Sequence, residues 1–82
     1  MNGFMSFSNA LSLIKAGYRL SRKGWNGPNQ WVELCIPAQN SKMTLPYIFI
    51  TTAQGGRVPW LASQTDLLAE DWFPIEIERE TL

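Results

Sequence analysis

The chain has 82 residues, 45% of them hydrophobic, with seven basic and seven acidic side chains, no histidine, one cysteine and four tryptophans. A formal net charge of zero argues against a partner that is a nucleic-acid polymer, because such binders carry a basic footprint. The lone Cys35 excludes an internal disulfide and, with no histidine, leaves no ligand set for a structural zinc.

This length makes a single domain, residues 1–82, whose core supplies no more than ~3–5 kcal/mol. With disulfide and metal excluded, the remaining source of stability is association with other copies, so a homo-oligomer is expected. Ser6 or Ser8 can cap a helix through Ala16, with Phe7, Ala10, Leu11 and Ile14 on one buried face. Lys15 suits its last turn and Gly17 its left-handed stop. Residues 18–22 alternate with period two, as in a half-exposed strand, Leu20 pointing opposite to Arg19 and Ser21. The turn formers Gly24, Asn26, Gly27 and Pro28 then put Trp25 on a loop tip or strand end.

Residues 31–36 read as a strand, with Val32, Leu34 and Ile36 on one face and Trp31, Glu33 and Cys35 on the other. A polar loop over 37–42 leads to a β-prone run over 45–52, with Pro46 near its start or on an edge. Gln54, Gly55, Gly56 and Arg57 form a hairpin connection into a short strand over 58–61. Ser63 or Thr65 can cap a short helix through Ala69, with Asp66 favoured in its first turn. A last strand over 72–78 has Phe73, Ile75 and Ile77 inward, Glu76 and Glu78 outward, and Pro74 suggesting an edge. The expected fold is α+β: an N-terminal helix packed on a small, mostly antiparallel sheet, with a short second helix before the last strand.

No stretch approaches the ~20 apolar residues of a membrane span. The N-terminal residues also lack the basic start and apolar run of a signal peptide, so a cytosolic protein with no membrane partner is expected. Charge is unevenly distributed. Up to Lys23 all charges are positive, whereas from Asp66 onward six acids face Arg79 alone. Either the two ends attract each other across the fold or an interface, or some of the basic groups meet a small anion.

Without histidine there is no ordinary triad and no near-neutral acid/base group. Cys35 sits mid-strand among apolar residues and reads as an inert thiol, and no phosphate-cradling glycine loop occurs. The chain is therefore read as a non-enzyme that needs no cofactor. Its binding chemistry lies in two clusters. In the first, Arg22 and Lys23 are phosphate partners, with Arg57 as a third candidate, Trp25 offers a stacking face, and Asn26 is either a base reader or a turn residue. In the second, Trp60 precedes Ser63 and Thr65, which with the helix-start N–H groups could hold a phosphate. Asp66 opposes an anion there and fits better as a capping group or an acceptor for ribose hydroxyls. Trp31 and Trp72 are assigned to core or interface.

Several segments also carry a family resemblance: Met5, Ser6 and Phe7 opening a helix; Arg22, Lys23, Gly24, Trp25, Asn26 and Gly27; the run from Met43 to Ile48; and Val58, Pro59, Trp60, Leu61, Ala62, Ser63, Gln64, Thr65 and Asp66 continuing to Trp72. Over a core of residues 5–78 the chain resembles the short phage and prophage proteins that include the second type of Thoeris anti-defence protein. The resemblance implies a sponge that binds cyclic ADP-ribose isomers made by TIR-domain enzymes, and in some members cyclic dinucleotides, without cleaving them. It also implies a homotetramer with ligand sites between protomers, acting in the cytoplasm of the bacterial host. Carried onto this sequence, it makes Phe7, Trp25 or Trp60 the stacking residues. Asn26, Ser63, Thr65 and Asp66 become polar contacts to base and ribose, with Arg22 or Lys23 near the diphosphate. Three other readings compete: a protein–protein module that blocks a host partner, a small nucleotide-processing enzyme, and a binder of single-stranded nucleic acid.

Overall fold

The computed structural model describes residues 3–25 and 29–75. Helix α1 (Phe7–Lys15) starts where Ser6, in extended conformation, accepts the Asn9 N–H at 3.4 Å. It ends at Gly17, whose φ of 102° lets the Tyr18 N–H return to the Leu13 carbonyl at 3.0 Å. Ala10 and Ile14 are fully buried, and Phe7 packs beside them. Leu13, from the other flank of this stripe, joins the core in place of the expected Leu11.

Five strands follow: β1 (Leu20–Arg22), β2 (Trp31–Cys35), β3 (Tyr47–Thr51), β4 (Arg57–Pro59) and, after helix α2 (Gln64–Leu68), β5 (Trp72–Pro74). They form one sheet in the order β4-β3-β2-β1-β5, and every neighbouring pair is antiparallel. The β3–β4 hairpin turns at Gly55, where φ is 93°, a conformation that glycine adopts without strain. Beyond the β5 edge, Met5 forms an isolated bridge with Trp72, its N–H donating to the Trp72 carbonyl at 2.8 Å. Pro59 and Pro74 both sit on edge strands, where a missing N–H costs no ladder bond.

The strands are shorter than the sequence suggests. β2 stops at Cys35 and leaves Ile36 exposed, and β4 stops at Pro59. In β5 the inward residue is Trp72, not Phe73. Trp72 is completely buried, whereas Phe73, one residue on and therefore across the sheet, packs edge-on against Phe4 with ring centroids 6.0 Å apart. Trp72 can take the core position because its indole N–H, which must be satisfied when buried, donates to the Asp66 carbonyl at 3.0 Å. The expected positions of Glu76, Ile77 and Glu78 lie outside the described residues.

Alternation gives the sheet two different faces. Leu20, Val32 and Trp72, with Leu34, Ile48 and Ile50, make the face on which α1 packs. On the other face Trp31, Glu33 and Cys35 stand opposite Thr51, Phe49 and Tyr47. Ser21, assigned to an exposed side, is buried because its hydroxyl donates to the Gln30 carbonyl at 2.7 Å. Among the described residues no helix is long and apolar enough to cross a membrane.

Candidate functional site

The end of β1, the end of β4 and the start of α2 converge beside the core, and they bring most of the aromatic and charged motif residues together. Trp60 is set by its own N–H, which donates to the Ile48 carbonyl at 2.9 Å and continues the β3–β4 ladder past Pro59. Its ring meets Phe7 at 6.0 Å, Trp72 at 5.9 Å and Trp25 at 6.4 Å between centroids. Trp25 in turn stands edge-on to Trp72 at 5.3 Å. The result is a cluster of four rings in tilted and edge-to-face contacts, the arrangement that the aromatic quadrupole favours.

Asp66 is the polar centre of this cluster. Its Oδ1 accepts both the Trp25 indole N–H at 3.0 Å and Arg22 Nη1–H at 2.9 Å. Its Oδ2 accepts the Ser63 N–H at 3.1 Å while Ser63 Oγ accepts the Asp66 N–H at 3.0 Å, a reciprocal capping box that starts α2. Arg22 also donates from Nε to Asp71 Oδ1 at 2.8 Å, and the Gly24 N–H donates to Asp71 Oδ2 at 2.8 Å. Burial alone would raise the Asp66 carboxyl, but hydrogen bonds from the Trp25 indole, the Ser63 amide and Arg22 outweigh it and hold the group below its ordinary value. Asp71 is lowered chiefly by its hydrogen bond from Arg22, against some desolvation. Arg22 is raised by its hydrogen bond to Asp71, against desolvation, with help from Asp66.

A cleft of about 270 Å³ opens next to these groups, lined by Trp25, Gln30, Ile50, Trp60 and Asp66. Four stretches of chain supply those side chains, the β1–β2 connection giving both Trp25 and Gln30, so the site exists only in the folded sheet. Its walls are flat aromatic and aliphatic surface with one carboxylate and one carboxamide. That chemistry suits a base or a ribose better than a phosphate.

Of the residues expected from sequence, Phe7, Arg22, Trp25, Trp60, Ser63 and Asp66 are brought together here. Arg22 is held by two carboxylates, with its side chain only 13% exposed, so it braces the site instead of waiting for an anion. Lys23 lies outside the cleft, its Nζ 5.7 Å from the centroid of the Phe4 ring, because the residue after Arg22 points across the strand. Arg57 stacks over Phe49, also away from the cleft. Ser63 Oγ is occupied by its own capping box, Thr65 is exposed on α2, and Asn26 lies outside the described residues. Sequence reasoning missed Gln30 and Ile50 as wall residues and Asp71 as the second partner of Arg22. Alternation carried a signal for two of them: Gln30 shares the inward parity of Val32, and Ile50 that of Ile48.

This fold and these motif residues have known relatives. Residues 5–75 match the family described as the Thoeris anti-defense 2-like domain. The chain is also 37% identical over 81 residues to "Thoeris anti-defense 2" of Bacillus phage SP01, an alignment that covers 83% of this chain and 91% of that protein. The match spans both motif clusters, from Phe7 through Arg22 and Trp25 to Trp60, Asp66 and Trp72, and the chain belongs to the Thoeris anti-defense 2-like family.

Proposed function

We propose that this protein is a phage anti-defence sponge, which binds a cyclic nucleotide immune signal in the host cytoplasm and withholds it without cleavage. The observation that carries this reading is the cleft between Trp25 and Trp60, with Asp66 and Gln30 beside it, in a chain of the Thoeris anti-defense 2-like family. A base stacked on such a ring contributes ~1–3 kcal/mol, and Gln30 adds a polar side chain to the wall. Cyclic ADP-ribose isomers are the first candidates and cyclic dinucleotides the second. Asp66, the carboxylate at the wall, is engaged by three hydrogen bonds and held ionised, which suits it to accept from a ribose hydroxyl and not to shuttle protons.

At about 270 Å³ the cleft lies below the ~300–1,000 Å³ typical of enclosed small-molecule sites. A second copy of the chain would complete it. Leu61 and Leu68, 92% and 77% exposed, flank Trp60 and Asp66 in sequence and offer apolar surface for that contact. The functional unit is thus a homo-oligomer, a homotetramer by family resemblance, and the phosphates are met by groups other than Arg22.

The test is thermal unfolding with and without a cyclic ADP-ribose isomer, alongside light scattering. A saturable rise in melting temperature in an oligomer is expected, and in Leu68→Glu both the assembly and the rise should weaken. A monomer with no response to cyclic ADP-ribose isomers or cyclic dinucleotides would instead favour a module that blocks a host protein.

A further inference from the structure

We infer that Asp71, which does not line the cleft, is a positioning residue for it: through Arg22 and Gly24 it holds the Trp25 indole on Asp66. The aromatic wall is thereby set before any ligand arrives. This inference rests on the nucleotide-binding reading for its consequence, though not for its geometry.

Asp71 takes hold of three consecutive residues at the end of β1. Its Oδ1 accepts from Arg22 Nε at 2.8 Å, its backbone carbonyl from the Lys23 N–H at 3.1 Å, and its Oδ2 from the Gly24 N–H at 2.8 Å. The Trp25 N–H then returns to the Arg22 carbonyl at 3.2 Å, so the turn that carries Trp25 leaves a fully tethered strand end. The same guanidinium reaches Asp66 from Nη1, and the Oδ1 atom it meets is the one that receives the Trp25 indole N–H. Asp71 therefore acts on Trp25 by two routes, one through the backbone and one through the Arg22–Asp66 pair. Both routes converge on the ring that walls the cleft.

Gly24 belongs to the same device. A Cβ at this position would stand 3.0 Å from Arg22 Nη2 and 3.0 Å from Asp71 Oδ2, within the space where guanidinium and carboxylate meet. What the glycine provides here is close approach and not a positive φ, since its backbone is not in the left-handed region. Arg22, expected from sequence as a phosphate partner, and Gly24, expected as a turn former, thus become parts of a brace.

The experiment follows the Trp25 indole N–H resonance, identified by its loss in Trp25→Phe, in wild type and in Asp71→Asn. Trp31, whose indole donates to Glu33 on the other face of the sheet, is the internal reference. The expected result is a displaced Trp25 resonance that exchanges with solvent at least tenfold faster, while Trp31 stays in place. Affinity for a cyclic ADP-ribose isomer should fall about tenfold or more. An unmoved Trp25 resonance overturns the inference, and so does a displaced resonance with undiminished affinity. If Asp71→Asn does not fold, Gly24→Ala presses on the same brace without removing a charge, and a smaller shift of the same resonance is expected. Wild-type protein that binds no cyclic nucleotide would defeat the proposed function alone, because the indole readout needs no ligand.

Discussion

Two tryptophans in this molecule donate their indole N–H to a carboxylate that also holds an arginine, and they do so on opposite faces of the sheet. On the helix-covered face, Trp25 and Arg22 share Asp66; on the other, Trp31 donates to Glu33 at 2.9 Å while Arg19 approaches it at 3.4 Å. Arg19 also stacks over Trp31 at 5.0 Å. The chemistry is the same and the consequence is not. Trp31 and Glu33 are two residues apart on β2, and the Arg19 and Glu33 side chains are 29% and 18% exposed. Arg22 and Asp66 are 44 residues apart and their side chains only 13% and 12% exposed. The first triad joins β2 only to the residue that precedes the adjacent β1. The second ties β1 to α2, and with them two of the walls of the cleft.

The comparison is broken hardest at Asp66. Asp66→Ala leaves a poorly exposed guanidinium short of one partner and removes the side-chain half of the α2 capping box that accepts the Ser63 N–H, and breaking a buried pair in this way costs about 3–5 kcal/mol. Urea denaturation should show a midpoint well below that of wild type, and an unchanged midpoint would mean that Asp66 is not the anchor described here. Next comes Trp25→Ala, which should reduce affinity for a cyclic ADP-ribose isomer by ~1–3 kcal/mol with assembly intact. Calorimetry reads the affinity and light scattering the assembly state, and wild-type affinity in that variant would remove Trp25 from the site.

Acid sharpens the difference further. The folded values of Asp66 and Asp71 are depressed, so the stability they contribute is fully present above the unfolded aspartate value of about 4 and lost as pH falls through the lower folded values. A pH series of unfolding free energies should be level through the neutral range for these groups and fall on the acid side, with a shallower fall in Asp71→Asn. An equally steep fall in that variant would contradict the assignment. Glu33→Gln, the matched change on the other face, should cost under ~1 kcal/mol, as partly exposed ion pairs usually do. A loss as large as that of Asp66→Ala would erase the distinction between the two triads. The smallest effect is expected at Thr51, whose buried Oγ1 has no hydrogen-bond partner among the described residues. Thr51→Val removes an unsatisfied polar group, so its melting temperature should equal or exceed that of wild type.

Most of the frame was legible in the sequence because local rules govern it. The spacing of Phe7, Ala10 and Ile14, the caps at Ser6 and Ser63, the glycine stop at Gly17 and the Gly55 turn all act within a few residues of themselves. The uneven charge was also a true signal: the basic and acidic ends meet where Arg22 reaches Asp66 and Asp71. What it did not reveal was which partner each charge would take. Arg22 and Lys23 look alike as candidate phosphate ligands, yet strand alternation sends one into the brace and the other over Phe4. Trp72, assigned to core or interface, is indeed core, but the inward place expected for Phe73 failed for a similar reason, since alternation fixes two faces but not which one meets the helix. That choice depended on the Asp66 carbonyl being in place to satisfy the indole.

The central claim is that the cleft beside Trp25 and Trp60 holds a cyclic nucleotide without altering it. The most direct measurement incubates the protein with a cyclic ADP-ribose isomer, removes the unbound fraction, heats the complex and determines the mass and retention of what is released. The account predicts stoichiometric recovery of the intact isomer from wild type and markedly less from Trp25→Ala. Release of a hydrolysed or rearranged product would contradict it, as would wild-type protein that carries no nucleotide through the separation.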